Sequence, residues 1–394
     1  MNSEQITDTF ESFYRDRGHR PITGSTLLPP PGDPVLFTTS GMHPLTPYLE
    51  GDLPHPLGRR LTNVQRCLRT TDLDEVGDSR HLTVFEMLGS WSLGDYGHAQ
   101  SLRWGYELLT DGYGIDPGLL YATVFGGDGQ VGPDTESLDT WDELGVPVER
   151  TTEDNWWSNG PTGPCGPDSE IFHWTGDGPP ESTPTGDERW VEVWNHVHLR
   201  YRRHEDGSLT PLPRPGVDTG MGLERLVTIL QGKESVYGTD LFEPWTRLVP
   251  GLWGPLDEPS LRLVLDHLRS GIVVTGDGVR PSNTGRGYVL RRLLRRVLTV
   301  LWRDDPTRTL ADLPRELLEH TLGHFRQEMS PDEVLRVLAG EERRFRGLLE
   351  RGRTVLSRPR FSGRELTPED YGYLHDTHGL PRELVDGLTG GPTV

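Results

Sequence analysis

The sequence has 394 residues, more than one ordinary hydrophobic core holds, and this length predicts roughly two or three domains. It contains no apolar run long enough to span a membrane, no signal-peptide pattern and only two cysteines, Cys67 and Cys165, so we expect a cytoplasmic protein without a disulfide framework or a zinc site. The net charge is −20, and because residues 251–394 carry about +1, the acidic excess lies in the first 250 residues and any polyanion must be bound by local clusters of arginine.

The beginning of the chain is predicted to combine a helix with strands. Apolar residues at helical spacing from Ile6 to Tyr14 predict a helix. After the rigid loop LPPPGDP, the run VLFTTSGM at residues 35–42 predicts a short buried strand. Residues 61–71 and 81–93 are two strand-like runs joined by a charged loop, and this arrangement predicts an antiparallel hairpin.

The middle of the chain predicts a helix at residues 100–110, a strand at 121–125 and mainly surface loops at 126–187, where many glycines and prolines lie. Polar and apolar residues then alternate from 189 to 203, which is the period of a strand, and residues 222–232 return to helical spacing. Strands followed by a helix favour an α+β fold with an antiparallel sheet over a parallel nucleotide-binding sheet.

After about residue 255 the sequence changes to helical patterns, as in GYVLRRLLRRVLTVLW and DEVLRVLAGEERRFRGLLERGRTVL. These patterns predict an all-helical second domain. The predicted domains are therefore residues 1–245, which would carry the sheet, and residues 246–394, which would carry the helices.

Two short stretches contain residue types suited to binding an anionic ligand. In GVDTGMGLERL, Gly220 and Gly222 remove side chains where a ligand can approach the backbone, and Arg225 enters a helix beside them. In the predicted hairpin, the guanidinium of Arg69 can hold a phosphate, and the ring of Phe85 can stack on a purine. Each stretch alone also fits a plain structural role, as a turn with a solvated Glu-Arg pair or as an exposed arginine near a core phenylalanine.

A third pattern is the HVH sequence of the later strand-like run. His196 and His198 are two residues apart and therefore share one face of a strand. A pair of histidines alone lacks the further ligands of a metal site. We therefore expect no metal bound by these two side chains.

Four segments occur in the same order as the signature segments of one enzyme family: FEMLGSWSLGDY, TGPCGPDSEIF, VDTGMGLERL and GVRPSNTGRGYVLRRLLRR. Together with the arginine strand, the HxxxF segment and the later Gly-x-Gly-x-Glu-Arg element, they resemble class II aminoacyl-tRNA synthetases, and within that class the alanyl-tRNA synthetase family. The resemblance runs from about residue 5 to residue 390. It implies a class II antiparallel sheet with flanking helices, followed by a helical domain.

The resemblance implies a site that forms alanyl-adenylate from alanine and ATP. Arg69 and Arg225 would be the catalytic residues, since arginines neutralise the charge that spreads as pyrophosphate leaves, with Mg²⁺ bound to ATP and Glu192 or Glu170 as a possible ligand. Asp218 would hold the α-ammonium. The ATP-binding residues implied are Arg69, His81, Phe85, Met87, Gly222 and Arg225. The amino-acid-binding residues implied are Arg69, Trp157, Asn195, Val197, Asp218 and Gly220.

The resemblance also implies an acceptor for the alanine. In the family the helical domain binds the acceptor stem of a tRNA, and the residues implied here are Asn283, Arg286, Arg291, Arg292, Arg295 and Glu383. The arginines repeat at helical spacing and form a stripe suited to phosphate, although they also fit ion pairs with the acidic first domain. The sequence ends near where the family's editing domain would begin, so the resemblance predicts a monomer without the editing and C-terminal domains.

Several departures from the family leave the acceptor open. The loop in CLRTTDLDEVG is about four residues shorter and lacks the family's lysine, which would assist polyphosphate binding. Asp168 replaces a cysteine, and Glu383 replaces an aspartate that contacts RNA. Other strand residues that differ are His196, His198, Arg200 and Arg202. The alternatives are transfer of alanine to a small-molecule acceptor and a catalytically silent paralogue that binds RNA or a partner.

Overall fold

The computed structural model divides into two compact units. The first unit comprises Met1–Pro250 and Leu256–Asp266, and the second comprises Gly251–Pro255 and His267–Val394. Among the helices of the described residues, none has both the length and the apolar character that crossing a membrane requires. The structure describes residues 1–30, 33, 35–51, 53–378, 380 and 382–389, without the side chains of Asp304 and Glu383.

One sheet forms the centre of the first unit. Its strands within the described residues are β1 Arg20–Pro21, β2 Arg60–Leu68, β3 Val84–Ser92, β4 Leu120–Phe125, β5 Val148–Thr151, β6 Trp156–Ser158, β7 Gly163–Trp174, β8 Trp190–Arg203 and β9 Leu209–Gly222. Their order across the sheet is β1-β2-β3-β9-β8-β7-β4-β5, and β6 pairs with β7 outside this path. The pairs β1-β2 and β4-β5 are parallel and the others are antiparallel. The predicted α+β fold and the predicted hairpin, β2-β3, are confirmed.

Helices lie against both faces of this sheet. Those of the first part of the chain are α1 Ser3–Asp16, α2 Thr46–Leu49, α3 His98–Glu107, α4 Thr135–Leu144, α5 Leu223–Leu230 and α6 Glu243–Trp253. On α1, the Phe10 ring lies 6.0 Å from that of Trp194 in β8. On α3, Ser101 Oγ lies 2.9 Å from His196 Nδ1 in the same strand. Trp194 and His196 thus face these helices. Because alternate residues of a strand point to opposite faces, Asn195 and Val197 lie on the other face of the sheet.

The prediction of loops at 126–187 is wrong for much of that range, because it contains α4, β5, β6 and β7. Helix α4 has a capping residue at each end. The Asp134 side chain accepts a hydrogen bond from Ser137 N at the N-terminus, and Gly145 follows the C-terminus with a φ of 72°. Strand β7 has the composition of a loop. Its register shifts between Cys165 and Asp168, an irregularity that accommodates a proline in the strand.

The predicted strand at residues 35–42 is also wrong. The segment forms bends and turns, and Val35 and Leu36 are 38% and 43% exposed. Its backbone instead makes one hydrogen bond to a bend and one to the end of β2: Thr38 N donates to Leu27 O, and Thr38 O accepts from Leu68 N, both at 2.9 Å. The apolar run therefore crosses the end of β2 as an irregular segment.

The second half of the described chain is helical, as predicted. Its helices are α7 Glu258–Gly276, α8 Gly285–Asp304, α9 Arg315–His324, α10 Pro331–Leu356, α11 Pro368–His378 and α12 Arg382–Thr389. In the second unit, buried leucines of α8 such as Leu294 and Leu298 belong to the core, and the Trp302 ring stacks on Phe345 of α10 at 5.6 Å. The amphipathic pattern of the sequence is thus explained by helix packing.

Two glycines near the centre of the sheet differ in what surrounds them, and this difference is testable. A Cβ at Gly89 would lie 2.1 Å from the Trp91 ring, whereas a Cβ at Gly222 would meet nothing nearer than the Arg225 side chain at 3.8 Å. We expect Gly89→Ala to lower the free energy of unfolding by about 1–3 kcal/mol through overpacking. Gly222→Ala should change it by less than about 0.5 kcal/mol. Urea unfolding of both variants measures this, and equal effects would contradict the close packing of Trp91 on Gly89.

Candidate active site

Four adjacent strands, β3, β9, β8 and β7, present two rows of residues on the face that α1 and α3 leave free. Residues opposite each other on paired strands share a face. The register defines the first row as Trp91, Asp218, Val197 and Asp168. It defines the second row as Gly89, Gly220, Asn195 and Glu170. The structure therefore brings Asp218, Gly220, Asn195 and Val197, which sequence reasoning assigned to an amino-acid pocket, onto one surface.

Asp218 is a buried carboxyl group in the first row. Its side chain is 7% exposed, and Trp91 Nε1 donates a hydrogen bond to its Oδ1 at 2.6 Å. Burial raises the pKa of Asp218 to about 7, while the hydrogen bond from Trp91 opposes this shift. A ligand ammonium beside this group would favour the carboxylate form. The geometry therefore suits a charged amine as the partner of Asp218.

The pKa of Asp218 and its hydrogen bond from Trp91 predict how kcat/KM for the amino acid depends on pH. If the Asp218 carboxylate binds the substrate, kcat/KM for the amino acid should rise as pH rises through about 7, because the protonated acid cannot attract an ammonium. Trp91→Phe removes the donor that lowers the pKa of Asp218, so this limb of the pH profile should move to higher pH. The measurement is the pH dependence of kcat/KM for wild type and variant. An unchanged limb would show that another group controls it.

Arg225 lies at the start of α5, beside Gly222 at the end of β9. Its Nη1 donates to Glu192 Oε2 at 2.9 Å and to the Glu192 backbone oxygen at 3.3 Å. Both side chains are about one third exposed. Glu224, the neighbour of Arg225, is buried and accepts from Glu86 N at 3.0 Å, so the alternative of a solvated Glu-Arg pair is wrong for Glu224.

Arg69 and Phe85 lie together at the end of the hairpin. The guanidinium carbon of Arg69 is 5.1 Å from the centre of the Phe85 ring, and its Nε donates to Thr39 O at 3.3 Å. This contact is a cation–π pair with an exposed guanidinium. His81, also predicted to bind ATP, is held by its own loop, because its ring nitrogens lie 2.5 Å from Asp78 Oδ2 and 3.0 Å from Glu75 Oε2.

Met87 lies between the hairpin and the glycines. Its Sδ accepts from Gly41 N at 3.3 Å, and a Cβ at Gly220 would lie 2.7 Å from the same sulfur. A side chain at position 220 would therefore require the Met87 side chain to move. Gly222, opposite Met87 in the register, has a Cβ position in contact only with Arg225.

An apolar cluster borders the first row. It contains Met42, Trp91 and Val197, and the partly buried Trp157 packs against it. Val197 and Trp157 are thus in one cluster, next to the Asp218 carboxyl. A side chain bound over Val197 would meet an apolar floor of limited size.

Two further acids extend the rows into β7. Burial, together with a smaller effect of the negative charge of Glu192, raises the pKa of Asp168 to about 8 and that of Glu170 to about 9. A hydrogen bond with the Asn195 side chain opposes the shift at Asp168. The described residues contain no group of three or more His, Cys, Asp or Glu side chains arranged to hold a metal ion. Glu192 and Glu170 as ligands of a nucleotide-bound Mg²⁺ stay a prediction. Sequence reasoning did not place Asp168 in the first row, because the glycines and prolines of β7 predicted a loop and gave no strand register.

The HVH histidines lie on the opposite face of β8. His196 contacts Ser101 as described, and the His198 ring lies 4.9 Å from that of His98. Burial lowers the pKa of both His196 and His198. These residues belong to the packing of α3 on the sheet, away from the two rows.

In the second unit, the arginine stripe of α8 is partly engaged by α10. Arg295 donates to the buried Glu341 at 2.9 Å, and Arg291 lies 3.5 Å from the same carboxylate. Arg291 also donates to the side chain of Asn283. Of the other residues predicted to contact RNA, Arg286 is half-buried and Arg292 exposed on α8, and the Glu383 side chain lies outside the described residues.

Comparison with known proteins identifies the family. A family model described as tRNA synthetases class II (A) matches residues 5–390. The alanine–tRNA ligase of Treponema pallidum is 42% identical, with 98% of this chain and 68% of that protein covered. Those of Treponema denticola and Rubrobacter xylanophilus are 45% and 39% identical, covering 75% and 98% of this chain and 52% and 47% of those proteins.

This chain therefore spans about half to two thirds of the length of these relatives. The match extends over both units of the chain, and it includes every strand of the two rows. The family resemblance inferred from the four sequence segments is confirmed. The chain belongs to the class II tRNA synthetases, in the family whose curated relatives are alanine–tRNA ligases.

Proposed function

We propose that this chain activates alanine with ATP, forming alanyl-adenylate and pyrophosphate, and then transfers alanine to the acceptor end of a tRNA. The observation that supports the proposal is the position of the Asp218 carboxyl beside the apolar Val197 on one face of the sheet, with Arg225 in the helix that directly follows the strand of Asp218. The names of the relatives support alanine and tRNA as the substrates. Residues 1–245 would carry the activation and residues 246–394 the contact with the acceptor.

The first step follows from the charges of the site. The α-ammonium of alanine binds Asp218, which orients the substrate carboxylate, and the methyl group lies over Val197. A carboxylate oxygen attacks the α-phosphorus of ATP, and the bond from that phosphorus to the bridging oxygen of pyrophosphate breaks. Arg69 and Arg225 stabilise the negative charge that spreads over the phosphates. Mg²⁺ bound to ATP supplies further charge neutralisation in such sites.

Arg225 must change partner during this step. In the structure it is paired with Glu192, and a phosphate would compete with that carboxylate for the guanidinium. In the structure only Nη1 of Arg225 contacts Glu192, so the rest of the guanidinium is not held by this carboxylate. Glu192 therefore holds Arg225 near the nucleotide position before ATP arrives.

The second step involves the helical unit. Asn283, which precedes α8, and Arg292, within α8, are exposed and would provide polar contacts for the acceptor stem. Arg291 and Arg295 already pair with Glu341, so their charge toward RNA is reduced. Transfer would occur by attack of a terminal ribose hydroxyl on the carbonyl carbon of the adenylate, with AMP as the leaving group.

The test is ATP–pyrophosphate exchange with each proteinogenic amino acid, followed by charging of a tRNA alanine transcript. We expect exchange with alanine and formation of alanyl-tRNA. Absence of exchange with every amino acid would overturn the proposal and favour a silent paralogue. Exchange with alanine without charging of tRNA would overturn the second step and favour a small-molecule acceptor.

A further inference from the structure

Asp266 is a buried acid of α7 that binds Thr83 at two points. Its Oδ1 accepts a hydrogen bond from Thr83 N at 2.8 Å, and its Oδ2 accepts one from Thr83 Oγ1 at 2.5 Å. Both residues are 0% exposed, and both belong to the first unit. Hydrogen bonds to a carboxylate are roughly twice as strong as those between neutral groups. The contact therefore fixes both the side chain and the backbone of Thr83.

Thr83 lies next to two residues that are proposed to meet ATP. Its backbone oxygen accepts a hydrogen bond from Arg69 N at 3.2 Å, at the residue that directly follows β2. Phe85 lies two residues later in β3, with its ring beneath the Arg69 guanidinium as described. Asp266 therefore holds a backbone position that is bonded to Arg69 and lies just before Phe85.

This end of β3 extends beyond one of its neighbouring strands. In the described register, residues 84–86 pair with β2 and not with β9, because β9 ends opposite the next residue of β3. Side chains take the place of the missing strand: Glu86 N donates to Glu224 at 3.0 Å, and Thr83 N donates to Asp266. A buried N–H group without an acceptor is unfavourable. The position of this segment therefore depends on buried carboxylates.

The amino-acid end of the site is held in a different way. Trp91, Asp218 and Val197 lie where each strand is paired on both sides, in the adjacent strands β3, β9 and β8. Backbone ladders set their positions, and α7 contributes no part of these ladders. Loss of the contact at Asp266 should therefore shift the nucleotide end of the site and leave the amino-acid end in place.

We propose that Asp266 is a positioning residue for ATP: through Thr83 it sets the positions of Arg69 and Phe85, and it acts on the nucleotide only through them. The inference rests on the proposed function for the assignment of Arg69 and Phe85 to ATP. It adds to the nucleotide end of the site a residue that lies 183 positions from Thr83 along the chain.

The experiment uses the full chain and measures the Kd of ATP by calorimetry without amino acid, and KM for ATP and for alanine in pyrophosphate exchange. Thr83→Val keeps the backbone N–H and nearly the same volume, but it removes the hydroxyl that donates to Asp266 Oδ2. Asp266→Asn replaces one acceptor oxygen with an amide nitrogen, which cannot accept.

Each of these two variants should raise Kd and KM for ATP about tenfold and change KM for alanine less than about threefold. A misplacement of about 1 Å at a reacting group can cost about 100-fold, and the shift expected here is smaller. If Thr83→Val does not fold, Asp266→Asn gives the same test. Thermal unfolding of each variant measures its stability.

Two further variants separate positioning from a general loss of stability. Thr83→Ser keeps the hydroxyl and should retain both constants for ATP near those of wild type. Asp257, just before α7, makes the same pair of contacts with Ser260, to its N and to its Oγ at 2.9 Å each, on the exposed surface. Ser260→Ala is therefore the matched control and should leave all three constants unchanged.

The outcomes distinguish this inference from the proposed function. A folded Thr83→Val protein with wild-type affinity for ATP would overturn the role of Asp266. Equal increases in KM for ATP and for alanine, or an equal effect of Ser260→Ala, would also overturn it, because they would indicate general loosening of the unit. Wild type that binds ATP without any exchange overturns the proposed activation, and ATP binding by the variants then still tests Asp266. Wild type that binds no ATP overturns both.

Discussion

Replacing Asp218 with asparagine is expected to raise KM for the amino acid about 100- to 1,000-fold and to change KM for ATP less than about threefold. The amide keeps the size of the side chain and its acceptor oxygen toward Trp91 Nε1, and it removes only the charge. Losing one member of a buried charge pair costs about 2–5 kcal/mol, most of it from the cation left unpaired, and this range corresponds to the expected change in KM. ATP does not contact this carboxyl in the proposed arrangement.

The measurement is pyrophosphate exchange with one substrate varied at a time. Asp240→Asn serves as the control, because Asp240 accepts from Ser3 N at 2.7 Å in the same unit and lies outside the two rows. The control should leave both KM values unchanged. Equal increases in the two KM values for Asp218→Asn would mean that the residue supports the whole site and does not bind the amine.

Replacing Arg225 with alanine is expected to lower kcat for pyrophosphate exchange about 100- to 1,000-fold. The effect should fall on kcat because the charge on the phosphates grows as the pyrophosphate bond breaks, and removing one positioned charge or donor of this kind costs rates of that order. The substitution also frees Glu192, which then places an unpaired negative charge beside the nucleotide.

A control variant and a double variant help to interpret the effect of Arg225→Ala on kcat. Arg247→Ala removes an arginine of α6 that pairs with Glu243 at 3.2 Å and should leave kcat unchanged. The double variant Arg225→Ala with Glu192→Gln should recover part of the loss if the freed carboxylate contributes to it. A single Arg225→Ala variant with wild-type kcat would remove Arg225 from the proposed chemistry.

Local patterns predicted the strands and helices that depend on sequence periodicity. The alternation at residues 189–203 and the helical spacing after Gly222 correspond to β8 and α5, because a period fixes which side chains share a face. The same reasoning failed for residues 35–42, whose apolar residues have no strand to pair with. The periodicity of one segment does not show which other segment it will pair with in the folded chain.

Sequence periodicity could not predict which side chains pair with each other in the candidate site. The bond from Trp91 to Asp218 joins residues 127 positions apart, and the pairing of Arg225 with Glu192 depends on a contact between α5 and β8. The helical spacing of Arg291 and Arg295 was visible in the sequence, but Glu341 on α10 as their partner was not. These contacts depend on the strand order and on helix packing, which only the folded chain specifies.

The pairing of Arg225 with Glu192 fixes the arginine side chain before any ligand is bound. A long flexible side chain loses rotamer freedom when it is fixed, and here that loss occurs as the protein folds and precedes any encounter with nucleotide. In the proposed arrangement, ATP would meet a guanidinium whose direction is already set, and its binding would displace a carboxylate that is about one third exposed.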